Sequence, residues 1–430
     1  MSAPSIGKMP LHTQIFIAML VGALLGCLMR FGIPEPLRYT TGSAWVAAPL
    51  IGLGKLFISL LKMVIVPLVG SSIVVGIASI GDSKNLGRLG IKTLLFYTMT
   101  SLFAITIGLV ASNVMAPGRG VELPETGTKA IDPSTLNTPG SPFEIIFRMI
   151  PTNPVQALAE MDMLGIIFFS LIFGITLTTM PSEHRDRILN FINSLFETMM
   201  KMTGAIIALA PFGVVGLVFT AIYEIGDLKF FKALGAYFLT ILFGVLSHLF
   251  IALPLLLFVF TRKSPIKHFA HMRNALLTAF STSSSSATLP VTMECVEEEA
   301  GVSNKISSFV LPLGATVNMD GTALYECAGV LFIAQVMGVD LSFFQQMTVV
   351  ITALLASIGA AGIPSAGLVM IFIVLDAVGL KGDQVGVIVG TMLAIDRPLD
   401  MLRTATNVFS DSVGAVIIAH SEGEIETKPS

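Results

Sequence analysis

Charge is scarce in this chain. Of 430 residues only 12% are Asp, Glu, Lys or Arg, against about 25% in soluble globular proteins. With 53% hydrophobic residues and a mean hydropathy of +0.83, the balance excludes an ordinary soluble domain and indicates a polytopic membrane protein. Cysteine is also sparse: Cys27, Cys295 and Cys327 are odd in number and lie in or beside apolar segments. They imply neither a disulfide framework nor a CxxC metal site. A net charge of −3, with no basic run interleaved with aromatics, gives no reason to expect nucleic acid as a partner. HExxH, GxSxG and paired His ligands are missing, and the serine run at 281–286 has no nearby base, so an enzyme is not expected. No small-residue cleavage site follows the apolar run from Ile15 to Met29, which reads as a first transmembrane helix rather than a removed signal.

What is present is apolar length. Apolar spans recur at about 11–33, 43–80, 90–115, 144–181, 188–223, 232–260, 306–338 and 390–419, and a crossing needs about 20 residues. The run from Gly42 to Gly81 would extend almost 60 Å as straight helix, which predicts a steep tilt or a bend near Pro67. Basic residues gather in three breaks, at Lys84, Arg88 and Lys92, at Arg185 and Arg187, and at Arg262, Lys263, Lys267 and Arg273. The positive-inside rule places these breaks and both termini in the cytoplasm.

Two stretches do not fit spanning helices. His271 to Ala300 has two apolar arms of about ten residues around the serine run, too short to cross, and reads as a re-entrant hairpin rather than a Ser-rich linker. Phe343 to Leu380 repeats the design, with Gly359, Gly362 and Pro364 interrupting the helix. Each hairpin precedes a helix that carries polar groups. That recurrence is the pattern of an inverted repeat in a secondary transporter, whose site lies where the broken tips meet.

The most informative of these helices lies at Ala394 to Ala419, where Asp396, Asp400, Arg403, Asn407 and Asp411 fall within an arc of about 80° and a length of about 22 Å. Ionisable groups at such depth cost about 2.5–3.5 kcal/mol each on insertion scales unless they face a polar interior and are paired. A substrate or ion path is the simplest account, with a structural ion-pair ladder as the alternative. In the segment Asn318-Met319-Asp320-Gly321-Thr322, Gly314 and Gly321 loosen a helix whose carbonyls can meet a hard cation, with Asp320 adding charge. An Asp-Gly turn between helices is the alternative there. Tyr97, Thr100 and Ser101 lie one turn apart and offer further oxygens, although such groups also hydrogen-bond between packed membrane helices.

The serine-rich TSSSSATLP, NMDGTALYE, SIGAAGIPSAG and DMLRTATNVFSDS, in this order, resemble the excitatory amino-acid transporter family, the dicarboxylate/amino acid:cation symporters. The resemblance implies an all-α fold of eight transmembrane helices and two re-entrant hairpins, built as inverted repeats and working by an elevator mechanism in a homotrimer. Residues 1–80 and 116–228 would form the scaffold, 81–115 and 229–420 the transport part, and 421–430 a cytoplasmic tail. No long insertion follows Pro142, which suggests a prokaryotic inner-membrane protein.

Carried over by position, Ser283, Ser284 and Ser285 would receive a substrate carboxylate at a helix N-terminus. Thr322 and Asn407 would hold the substrate backbone, Asp400 its ammonium and Arg403 its side-chain carboxylate. Asp396 and Thr404 complete the set on the striped helix, while Ile363, Pro364, Ser365, Ala366 and Gly367 would close over the ligand. For sodium the resemblance implies three groups of oxygens. One is Gly314, Asn318, Asn407 and Asp411; another Thr316, Ser357, Ile358 and Ala360; the last Tyr97, Thr100, Ser101, Asn318, Met319 and Asp320. Tyr325, Glu326 and Arg397 are the candidates for proton or potassium coupling. Family members usually carry a second arginine in the serine tip or two residues before the substrate arginine; here Ser283 and Met401 stand there, and Arg397, one turn from Asp400, either replaces that arginine or faces elsewhere. The expected function is sodium-coupled uptake of glutamate or aspartate, the alternatives being a C4-dicarboxylate or neutral amino-acid symporter of the same fold and, from another class, an ion channel.

Overall fold

The computed structural model describes residues 11–32, 41–78, 86–121, 147, 149–226, 228–359 and 366–425. Among them the chain is helical, with one isolated bridge between Val302 and Ile425. Helices α1 Leu11–Gly32, α2 Thr41–Ala78 and α3 Leu86–Met115 follow the first three apolar runs. Although α2 contains Pro49 and Pro67, it runs unbroken for 38 residues, so Pro67 does not end the helix.

The fourth expected span, 144–181, is divided. Helix α4 Pro154–Glu160 stops at Met161 in the left-handed region (φ 58°), and α5 Met163–Thr178 starts afresh with Asp162 as its cap. The Asn153 carboxamide accepts from the amides of Val155 and Gln156, and the Asp162 carboxylate from Gly165. Such caps satisfy amides that lack a partner within the helix. The span at 188–223 is likewise bent, by 55°, between α6 Ser182–Ala208 and α7 Ala210–Thr220. Four helical runs are long and apolar enough to cross a membrane, or five counting this bent pair, among the described residues. The remaining expected spans fail that measure for physical reasons: α5 is short, the 306–338 segment is broken at its polar motif, and the last helix carries the charged stripe.

Helices α8 Leu228–Ser247 and α9 Leu253–Thr261 form one run through a wide π turn at His248–Ala252. After the short α10 Pro265–His271 come α11 Arg273–Thr282 and α12 Ser285–Glu294, ten residues each and packed together. At about 15 Å apiece neither can cross, as expected for a re-entrant hairpin. Helices α13 Asn304–Val317 and α14 Asp320–Val336 follow, then α15 Phe343–Gly359, α16 Ala366–Ala377 and the 40-residue α17 Asp383–Glu422. In the second hairpin α15 is described to Gly359 and α16 from Ala366; the interruption expected at Gly362 and Pro364 lies at 360–365, outside the described residues. In packing, α7 lies against α1 and α2, and α2 also against α5 and α6, whereas α3 packs mainly on α14, and α17 on α11, α13 and α14. The polar motifs therefore converge where α14 and α17 meet.

Candidate functional site

The stripe on α17 faces inward along its whole length. Asp396, Asp400, Arg403, Asn407 and Asp411 are all buried, with Arg403 1% exposed although it is the largest fully buried side chain. Its Nη2 donates to Asp396 Oδ1 and Asp400 Oδ1, both at 3.0 Å, and its guanidinium lies 3.7 Å from the centre of the Tyr325 ring. Arg397, placed by the helical wheel beyond the stripe, reaches back to Asp400 Oδ2 at 3.6 Å. The pairs Asp396/Asp400 and Arg397/Arg403 therefore balance in charge, consistent with the rule that buried charges are tolerated when paired. The ion pairs lie within one helix, which removes the interhelical ladder as the account of this part of the stripe. Arg403 keeps Nε and Nη1 without a protein partner, as Asp396 keeps Oδ2. Buried polar atoms are normally satisfied, so these atoms have the capacity to bond a ligand.

Other groups assemble around that arginine. A Cβ on Gly367 would lie 3.3 Å from Arg403 Nη1 and 3.1 Å from the Thr322 methyl, so the start of α16 rests on both. The Asn407 carboxamide oxygen accepts from the Gly321 amide at 2.8 Å. The Thr404 hydroxyl bonds the Asp400 carbonyl of its own helix. In the first hairpin Ser283 occupies the left-handed region (φ 52°), is 1% exposed, and leaves its hydroxyl without a partner. Ser285 is buried beside it. Ser284 caps α12, its hydroxyl oxygen accepting from the Ala287 amide at 3.1 Å. Ile363, Pro364 and Ser365 lie outside the described residues, and Ala366 opens α16.

The polar motif between α13 and α14 is a helix break rather than a loop. Asn318 and Met319 leave helical geometry (φ/ψ −98°/89° and −119°/60°), and both are buried. Asn318 Nδ2 donates to Asp411 Oδ1 at 2.9 Å and Ser410 Oγ at 3.0 Å, while Ser410 and Ser101 donate to Asp320 at 2.7 Å each. The Thr100 hydroxyl lies 3.4 Å from Asn318 Oδ1, and Tyr97 donates to the Val310 carbonyl at 2.8 Å. Gly314 lets α13 close in, since a Cβ there would stand 2.4 Å from Asp411 Oδ1 and 2.5 Å from the Tyr97 hydroxyl. Two carboxylates, carboxamide and hydroxyl oxygens thus occupy one buried cluster, the donor chemistry of a hard cation. Thr316, Ser357 and Ile358 are less clearly gathered. The two hydroxyls bond carbonyls of their own helices, Leu313 and Leu354, and Ala360 lies outside the described residues.

One participant was not anticipated. His248, fully buried in the π turn between α8 and α9, places Nε2 2.9 Å from Asp320 Oδ2. Its only sequence signal was a histidine inside an apolar span, and nothing in spacing linked it to a residue 72 positions away. Glu326 is fully buried with neither carboxylate oxygen hydrogen-bonded, one turn and a half beyond Asp320.

Comparison with known proteins identifies the family of the chain. The model of the sodium:dicarboxylate symporter family matches residues 11–421. The chain is 38% identical to excitatory amino acid transporter 1 of Ambystoma tigrinum over 421 aligned positions, covering 85% of this chain and 76% of that protein. It is 35% identical to excitatory amino acid transporter 3 of Oryctolagus cuniculus, over 95% and 85% of the two chains. It is 34% identical to the proton/glutamate-aspartate symporter of Escherichia coli (strain K12), over 98% and 95%. Matched by the family model along nearly its whole length, and apolar in four long helical runs, the chain is an integral membrane transporter rather than an enzyme and belongs to the sodium:dicarboxylate symporter family.

Proposed function

We propose that the protein is a cation-coupled symporter of the acidic amino acids glutamate and aspartate, with sodium as the coupled ion. The observation that carries this reading is Arg403: a buried guanidinium with Nε and Nη1 unoccupied, flanked by Asp396 and Asp400. A substrate carboxylate received at Nη1 makes a charge-assisted hydrogen bond beside the two aspartates held at Nη2. A substrate ammonium beside Asp400 takes up the negative charge that the arginine then shares. A C4-dicarboxylate has no such cation, and a neutral amino acid brings no side-chain carboxylate to the remaining Arg403 N–H groups. The Ser283 hydroxyl and the amides at the α12 N-terminus suit the α-carboxylate.

Sodium is supported by the oxygen cluster of Asp320, Asp411, Asn318, Thr100, Ser101 and Tyr97. Proton coupling has its own candidate in Glu326, whose unpartnered carboxyl could carry a proton, and one relative is named as a proton symporter. Arg397, paired with Asp400, replaces the family's second arginine. The same reading includes a homotrimer in a prokaryotic inner membrane with both termini cytoplasmic. Its transport part, 81–115 with 229–420, moves as an elevator against a scaffold of 1–80 and 116–228.

Uptake of labelled aspartate into proteoliposomes tests the proposal. Unlabelled aspartate and glutamate should compete far better than succinate or alanine, and replacing external sodium by choline should abolish uptake. Succinate competing as well as aspartate would overturn the substrate, and unchanged uptake in choline would overturn the ion in favour of protons.

A further inference from the structure

The guanidinium of Arg403 is planar, and a planar fork selects a carboxylate only if its plane is fixed. Asp396 and Asp400 hold one corner, at Nη2, which leaves rotation about that corner open. The face of the group is held by Tyr325, a fully buried ring on α14. What holds Tyr325 is a second tyrosine from another helix. Tyr237 on α8 is fully buried, with its ring 6.2 Å from Tyr325 and tilted by 53°. On its other side it stacks on Phe332 at 4.6 Å and 23°. Phe332 stands seven residues after Tyr325 on the same face of α14, so Tyr237 is wedged between two rings of one helix. The notch that admits it is Gly329, where a Cβ would stand 3.2 Å from the Tyr237 hydroxyl and 2.2 Å from Ile371 Cδ1 of α16. The contacts that hold Tyr237 in place are those of its ring.

We infer that Tyr237 is a positioning residue for substrate selection: the column Phe332, Tyr237, Tyr325 fixes the plane of the Arg403 guanidinium and thereby favours a carboxylate over a neutral side chain. The inference rests on the proposed role of Arg403 as receptor of the substrate's side-chain carboxylate. Apart from Tyr325, no residue named above for substrate or cation makes a ring contact or hydrogen bond with Tyr237 among the described residues. Its loss should act on acidic selectivity and leave the ion dependence alone.

The experiment compares parent, Tyr237→Phe, Tyr237→Leu and Arg403→Cys in binding of aspartate, glutamate and alanine to purified protein at saturating sodium, with sodium titrations and melting temperatures alongside. Tyr237→Leu should weaken aspartate and glutamate by about ten-fold, the scale of one cation–π contact and its support. It should leave alanine and the sodium midpoint within about two-fold of the parent, and Tyr237→Phe should restore acidic affinity. Parent-like aspartate affinity in Tyr237→Leu would overturn the inference. So would equal loss in Tyr237→Phe, which would make the hydroxyl the active feature, or a uniform loss toward all ligands with a lowered sodium affinity, which would make the ring a general packing element. Arg403→Cys separates the two levels: if it retains aspartate affinity, the substrate reading itself fails, whereas its loss together with an unaffected Tyr237→Leu overturns the role of Tyr237 alone.

Discussion

Glu326 is the residue whose surroundings ask most of it. Both its carboxyl oxygens are buried without a donor, and a charge so placed is costly. A group that is stable only when neutral in one conformation and is exposed to water in another moves a proton with the conformational change. Glu326→Gln should therefore abolish the response of uptake to an imposed pH gradient while leaving exchange of internal for external substrate intact. A mutant that still follows the gradient would remove Glu326 from the proton path. The sequence flagged this residue through its place after NMDGT and the family resemblance, but its lack of partners depends on rotamers of neighbours that no spacing rule supplies. Arg397 shows the same limit of a helical wheel: its position lies off the stripe, yet a long side chain brings its head to Asp400. His248 was invisible because its partner is on a helix 72 residues away.

Among the elements, the break between α13 and α14 depends on how closely α13 approaches α17, and Gly314 sets that approach. Gly314→Ala would place a methyl group within 2.5 Å of both Asp411 and Tyr97, so one of these oxygens must move. The expected result is a sodium midpoint raised at least about ten-fold, equivalent to about 1.4 kcal/mol. Gly235→Ala, where a Cβ meets nothing within 4 Å, is the control and should behave as the parent. An unchanged midpoint in Gly314→Ala would show that the cation does not use this cluster. The elements themselves were legible to different degrees. The hairpin of α11 and α12 could be read because arms of ten residues cannot cross a bilayer, and the stripe on α17 because its spacing repeats through four turns. The division between α4 and α5 was missed because only Glu160 and Asp162 interrupt the apolar run there, and the restart is marked by the capping side chain of Asp162.

At the scale of the molecule, the end of the chain ties separate helices together. Arg88 and Lys92 from the start of α3 both bond Glu422 at the end of α17, Lys92 at 2.5 Å. Lys305 at the start of α13 pairs with Glu424 at 2.6 Å, and the Ser303 amide donates to the Glu424 carbonyl. The hydrogen bond from Lys92, with another from Arg88, holds the Glu422 carboxyl below its ordinary value of 4.5. A carboxyl lowered in the folded state stabilises the fold fully above its unfolded pKa, and that contribution is lost as pH falls through the folded one. Melting curves of the purified protein should thus decline more steeply below about pH 4.5 in the parent than in Glu422→Gln. Because Arg88 is exposed, high salt should narrow the difference. Identical pH profiles in parent and mutant would show that the clasp adds no stability.

Helix α2 carries a further consequence. Its apolar part, Trp45–Ala78, has 34 residues and measures about 51 Å, while the hydrocarbon layer is about 30 Å thick. Even at a lean of about 40°, the upper end of what membrane helices adopt, it would still present about 39 Å to the lipid. The surplus is absorbed by stretching the surrounding acyl chains or by lifting helix ends into the headgroups, and either response has an elastic cost that depends on lipid chain length. Bilayer thickness is thereby a mechanical load on the transporter, set by the membrane in which it is placed.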